Sequence, residues 1–183
     1  DASSSDESGF AHDKMYVLQA GLNKLTKNSE DILKLQYNQY NREYDESGYF
    51  DWYNSDSTVL KAERRLKPIG KISYGYGIEY KDGAGAFTNA GSWASPATKG
   101  YVDNFGFFAN SGYQFSDDAI LSLYVRGDNH KTTGLNSTYK INLTKFFGKF
   151  KLGLTQSTGL RNPSLYELYG SNGRTDSYKH VAN

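Results

Sequence analysis

Hydrophobic and polar residues alternate strictly between Lys71 and Lys81, which reads K-I-S-Y-G-Y-G-I-E-Y-K. Successive strand side chains point to opposite faces. Ile72, Tyr74, Tyr76, Ile78 and Tyr80 therefore share one face of an extended segment, and Ser73, Gly75, Gly77 and Glu79 share the other. The rhythm recurs in segments of about ten residues, the pattern of strands that cross a membrane in a β-barrel. It predicts eight strands, over residues 14–25, 32–42, 58–67, 71–81, 100–113, 119–128, 138–147 and 150–160.

Each strand has an apolar face. It holds Tyr16, Leu18, Ala20 and Leu22 in the first, Leu33, Leu35 and Tyr37 in the second, and Leu60, Ala62 and Leu66 in the third. Phe105, Phe107 and Ala109 follow in the fifth, then Leu121, Leu123 and Val125 in the sixth. Tyr139, Ile141 and Leu143 lie in the seventh, Leu152 and Leu154 in the eighth. Lipid contact is expected at Ile72, Tyr74, Tyr76, Ile78, Tyr80, Leu121, Leu123, Val125, Ile141 and Leu143. Lys61, Glu63 and Arg65 fall on the opposite, inward face. Arg64 and Asp103 break the apolar rows, and charge there is tolerable mainly near an interface.

The connections alternate in length. Short ones are expected around residues 28–31, 68–70, 116–118 and 148–149, long ones around 44–57, 82–99 and 129–137. Transmembrane barrels show this asymmetry, with short turns inside and long loops outside. On that topology Tyr16, Tyr80, Tyr101 and Tyr139 sit at the outer strand ends, and Phe115, Phe147 and Phe150 sit near the short turns. These are two aromatic girdles at headgroup level. A soluble antiparallel meander or sandwich also alternates, but it explains neither the loop asymmetry nor the ring placement.

Composition sharpens this picture. Tyr, Phe and Gly number 16, 10 and 19 in 183 residues, with only 3 Pro, so the apolar content is spread as alternating residues rather than concentrated for a packed centre. The net charge of +1 implies no broad nucleic-acid field. The absence of cysteine excludes disulfides and thiolate metal sites. No run approaches the roughly 18 apolar residues of a membrane helix. Residues 1–13 are polar, without the basic start and apolar stretch of a leader. The chain is therefore expected to be an exported protein after leader removal, or an internal piece of a longer one.

Candidate chemistry is sparse. Tyr49, Phe50, Trp52, Tyr53 and Trp93 fall in the expected outer loops, where large rings either stack on a ligand or anchor at the interface. His12, His130 and His180 all fall on the outer side, with no spacing that makes them converge on a metal. Asp1, Asp6 and Glu7 lack the fixed spacing of an EF-hand. Asp128 and His130 are the one close acid–histidine pair, and no serine is placed to complete a triad. The inward row carries many small residues (Ser73, Gly75, Gly77, Gly106, Ser122, Gly153, Thr155), which suits a wide lumen better than the side-chain-filled interior of a small barrel.

Residues 152–170 read L-G-L-T-Q-S-T-G-L-R-N-P-S-L-Y-E-L-Y-G. This strand and its exit resemble the barrel of TonB-dependent outer-membrane receptors, especially the cobalamin-receptor-like branch, where a strand often ends in [KR]-x-P-x-L-x-x-L-Y-G. Arg161, Pro163, Leu165, Leu168, Tyr169 and Gly170 occupy the matching places. The resemblance implies a barrel of about 22 strands, filled by an N-terminal plug that lies outside this chain. It also implies import of a small-molecule ligand such as cobalamin or an iron siderophore, driven by the inner-membrane TonB complex through the plug. Trp52, Tyr53, Trp93 and Tyr166 are the candidate ligand contacts.

The expectation is an all-β, antiparallel, up-and-down transmembrane segment of about eight strands, an unclosed part of a larger barrel in the bacterial outer membrane. Residues 1–183 would form one partial barrel domain bounded by membrane lipid, with no catalytic residues, cofactor, metal or nucleic-acid partner. The alternative is a small stand-alone outer-membrane barrel with a structural, adhesive or enzymatic role.

Overall fold

The computed structural model describes residues 10–46, 49–89, 98–161 and 168. Eight strands follow one another: β1 (Phe10–Leu25), β2 (Ser29–Glu46), β3 (Tyr49–Ile69), β4 (Ile72–Asn89), β5 (Thr98–Ser116), β6 (Ala119–His130), β7 (Gly134–Phe147) and β8 (Phe150–Ser157). They form one antiparallel sheet in sequence order, each strand bonded to its predecessor and its successor. Among the described residues β1 pairs only with β2 and β8 only with β7, so the sheet is unclosed.

The short turns lie close to where the sequence places them, at residues 26–28 rather than 28–31, at 70–71 rather than 68–70, and at 117–118 and 148–149, and their chemistry is local. Gly70 and Gly148 each open a two-residue turn with φ of 60° and 57°. That left-handed backbone costs glycine nothing. At the first turn Thr26 Oγ1 accepts from the Ser29 amide at 2.9 Å. At the third, Ser116 Oγ donates to Asp118 Oδ1 at 2.7 Å and Lys145 pairs with Asp118 at 2.6 Å. Together these two contacts hold the Asp118 carboxyl below the usual carboxylate range.

The other end of the sheet corrects the sequence reading. Most of the expected long loops are strand. β3 begins at Tyr49, β4 runs to Asn89, β5 starts at Thr98, and only residues 131–133 separate β6 from β7. β3 has 21 residues, on the order of 70 Å at about 3.3 Å per residue, whereas a membrane needs only about 9–11. Beyond the apolar belt a hairpin still pairs its backbone groups, but neither face has to be apolar, so alternation stops marking it. For the same reason Tyr16, Tyr80, Tyr101 and Tyr139 lie within their strands rather than at the ends. β1 starts before residue 14, and β8 ends at Ser157 rather than at 160.

Exposure identifies the two faces. Phe107 and Phe108 are neighbours on β5, yet Phe107 is 52% exposed and Phe108 only 2%. A single sheet does this by curving around the Phe108 side. Ile72, Tyr76, Ile78, Tyr80, Leu121, Leu123, Val125 and Ile141 are all exposed on the Phe107 side, with Tyr74 and Leu143 half-exposed in the same rows. Among the described residues the buried hydrophobic set is only Ile32, Phe108 and Ala119. A sandwich buries one whole sheet face, and among the described residues no second layer covers this sheet.

Candidate functional site

The concave face is a polar network assembled by register across strands. Glu79, Gly106 and Asp128 form one row over β4, β5 and β6. Arg126 clamps Asp128 through Nε and Nη2, each at 2.7 Å, and its Nη2 also reaches Glu79 on β4 at 2.8 Å. To do so the guanidinium passes over Gly106, where a Cβ would lie 2.6 Å from Nη2. Asn104 donates to the same carboxylate at 2.7 Å.

A second cluster uses the inward row of β3. Glu63 pairs with Lys61 at 3.1 Å and with Arg65 at 2.6 Å, and Arg65 also reaches Glu30 at 3.5 Å. The Lys61 ammonium sits 4.6 Å from the centre of the Phe108 ring, which stacks on Tyr124 at 6.2 Å. Phe108 therefore joins the two charged clusters. Polar side chains continue the network across β1–β3 through Gln19, Gln36, Asn38 and Ser57. A hollow of about 380 Å³ opens nearer the short turns, lined by Ser73, Asn110, Ser122, Tyr124, Lys140 and Asn142 among others.

The inward glycines acquire a different meaning from this geometry. They do not simply leave a wide lumen empty. Large cross-strand partners lie over several of them: Phe108 over Gly77, Arg126 over Gly106 and Asn110 over Gly75.

The predicted ligand-contact residues separate. Trp52 and Tyr53 are adjacent on β3 rather than in a loop, so they face opposite sides of the sheet. Tyr53 shares the concave face with Tyr40, their rings 5.8 Å apart. Tyr40 donates to Asp13 at 3.1 Å, and Arg42 lies 3.7 Å from the same carboxylate. This cluster above the apolar belt escaped the sequence reading, although the inward parity of Tyr40 and Arg42 was available as a signal. Trp52 lies on the convex side. Trp93 and Tyr166 lie outside the described residues, as do Pro163, Leu165, Tyr169 and Gly170 of the motif. Arg161 is exposed just beyond β8, and Leu168 is half-buried.

His130 and Asp128 do not form a catalytic pair. The Asp128 carboxylate is taken by Arg126 and Asn104. His130 Nδ1 accepts from the amides of Thr132 at 3.2 Å and Thr133 at 3.4 Å, which fixes the proton on Nε2. Among the described residues no three His, Asp or Glu side chains group as metal ligands. Asp1, Asp6, Glu7 and His180 lie outside them.

Burial pushes the His130 imidazole below its ordinary pKa, with Lys81 acting in the same direction and Asp103 and Asp128 against it. The unfolded chain therefore takes up the proton first. The stabilisation is whole above about pH 6.5 and is lost as pH falls through the depressed value. Amide exchange at Thr132 and Thr133, corrected for intrinsic rates, is expected to accelerate from pH 7.5 to about pH 5. Unchanged protection would show that the imidazole does not hold this turn.

No family model matches the sequence, and no curated protein sequence matches it. Solved structures do. The siderophore receptor PirA from Pseudomonas aeruginosa superposes with a TM-score of 0.63 at 16% identity, over 85% of this chain and 28% of that one. A variant of the ferric enterobactin receptor PfeA from the same organism gives 0.63 at 13% identity, over 85% and 27%. The ferric citrate transporter FecA gives 0.57 at 11% identity, over 80% and 27%. The chain thus spans little more than a quarter of each, and the likeness at this identity is one of fold.

Proposed function

We propose that this chain is a section of the wall of a TonB-dependent outer-membrane receptor that imports an iron chelate. One observation carries the reading: a single-layer antiparallel sheet turns unpartnered apolar rows outward and a bonded polar network inward. Such a sheet is stable where hydrocarbon wets one side and water or protein the other. Open edges are not tolerated in lipid, and further strands of the same protein would pair with β1 and β8. The concave clusters at Arg126 and Glu63 then face the plug, and the Tyr40–Tyr53 cluster above the belt faces incoming ligand. The wall does no covalent chemistry.

The iron-chelate reading draws support from the ligands named for the solved neighbours. The motif at Arg161 and Leu168 supports cobalamin as the second ligand class. The stand-alone barrel has less support, because a closed eight-stranded wall needs β1 bonded to β8, and among the described residues the two edge strands do not pair with each other. The full-length protein, placed in a host stripped of its own iron receptors, is expected to take up radioiron from ferric enterobactin or ferric citrate only while TonB is present. Labelled cyanocobalamin forms the parallel arm. Uptake indifferent to loss of TonB would overturn the importer reading.

A further inference from the structure

Two neighbouring outward rows differ sharply in character. One runs Leu22, Leu33, Ala62, Ile78 and Phe107 across β1 to β5, each residue in register with the next. The row one step toward the short turns runs Lys24, Asp31, Arg64 and Tyr76. The rung between them, Asn23, Ile32, Glu63 and Gly77, turns its side chains to the other face and leaves its backbone as a floor. Ala62 is the one small side chain in the apolar row. The result is a groove of about 520 Å³ on the convex face, lined by all three rungs. This is the size of clefts that take small molecules, about 300–1,000 Å³.

The charged end is built, not incidental. Arg64 donates to both oxygens of Asp31, from Nε at 2.6 Å and from Nη2 at 2.8 Å, and it stands in register with Tyr76. The guanidinium is thus held in one orientation. Lys24 stands across the Asp31 rung from β1. Two cations and one anion leave a net charge of +1 beside an apolar slot, on a face where unneutralised charge is destabilising. A group with one negative charge and an attached hydrocarbon chain satisfies both halves at once.

We propose that this groove seats a glycerophospholipid of the leaflet on the short-turn side. One acyl chain lies along the Leu22–Phe107 row over Ala62, and the phosphodiester rests between Lys24 and Arg64. The seat depends on the lipid-facing reading of the convex face given above. It goes further, because bulk lipid wets all outward rows alike, whereas this groove holds one molecule.

The test uses the full-length protein extracted from outer membranes in mild detergent, with phosphatidylglycerol as probe and native mass spectrometry as readout. Wild-type protein is expected to retain one phospholipid through delipidation. Ala62→Phe fills the slot without touching the charges, and Lys24→Gln removes a cation without touching the slot. Each is expected to weaken retention about tenfold, as for loss of one charge-assisted contact or its apolar counterpart. Leu152→Phe, outward on β8 and away from the groove, is expected to behave as wild type. Equal retention by wild type and Ala62→Phe, or retention of lipopolysaccharide alone, would overturn the seat while leaving the barrel reading intact. A protein absent from the outer-membrane fraction would overturn both.

Discussion

Arginine at position 123 of the full-length protein is expected to destabilise the membrane-inserted state by about 2–4 kcal/mol, whereas arginine at 122 is expected to be tolerated. The two positions are adjacent on β6 and differ only in face. Leu123 is exposed on the convex side in register with Ser111 and Ile141, near the middle of the apolar segment 121–125. Ser122 points inward and lines the polar hollow beside Tyr124, Lys140 and Asn142. In hydrocarbon a guanidinium has no water to keep and no partner to bond. In the hollow it keeps both. Equilibrium folding into lipid vesicles under urea measures the difference directly. Equal effects at the two positions would mean that both faces meet the same medium, and the membrane reading would fail with them.

Gly77→Ala is expected to destabilise the protein by about 1–3 kcal/mol, the range for overpacking a filled position. A Cβ at Gly77 would run into the backbone carbonyl of Ala62, and it would lie 2.5 Å from the Phe108 ring. The ring has little freedom to withdraw, since Phe108 stacks on Tyr124 and carries the Lys61 ammonium. The carbonyl has less, being part of the sheet. Gly153→Ala is the matched control, an inward strand glycine with nothing within 4 Å of its added carbon. Its effect is expected to stay within about 0.5 kcal/mol. If the two substitutions cost the same in urea unfolding, Gly77 is not a packing position.

The candidate site was legible in part. Lys61, Glu63 and Arg65 announce a charged inward row by spacing alone, and they do form a cluster. Arg126 gave no such signal. Its importance comes from Glu79, 47 residues away, which it reaches only because Gly106 lies between them. Trp52 and Tyr53 look alike in sequence, and strand parity sends them to opposite faces once the supposed loop proves to be strand. Arg64 looked like a flaw in an apolar row until the register put Asp31 opposite it.

Face assignment is a local property. A strand's side chains alternate whatever lies beside it, so the apolar rows, the strand count and the short turns could be read from order alone. Register is not local. Which residue of one strand stands opposite which of the next depends on turn geometry and on every rung between. Tertiary structure alone therefore decided which glycines are roofed, which carboxylates Arg126 gathers, and where Ala62 opens a slot beside a fixed guanidinium. It also decided how far the hairpins rise, because outside lipid a paired backbone no longer needs the hydrophobic alternation by which sequence reveals it.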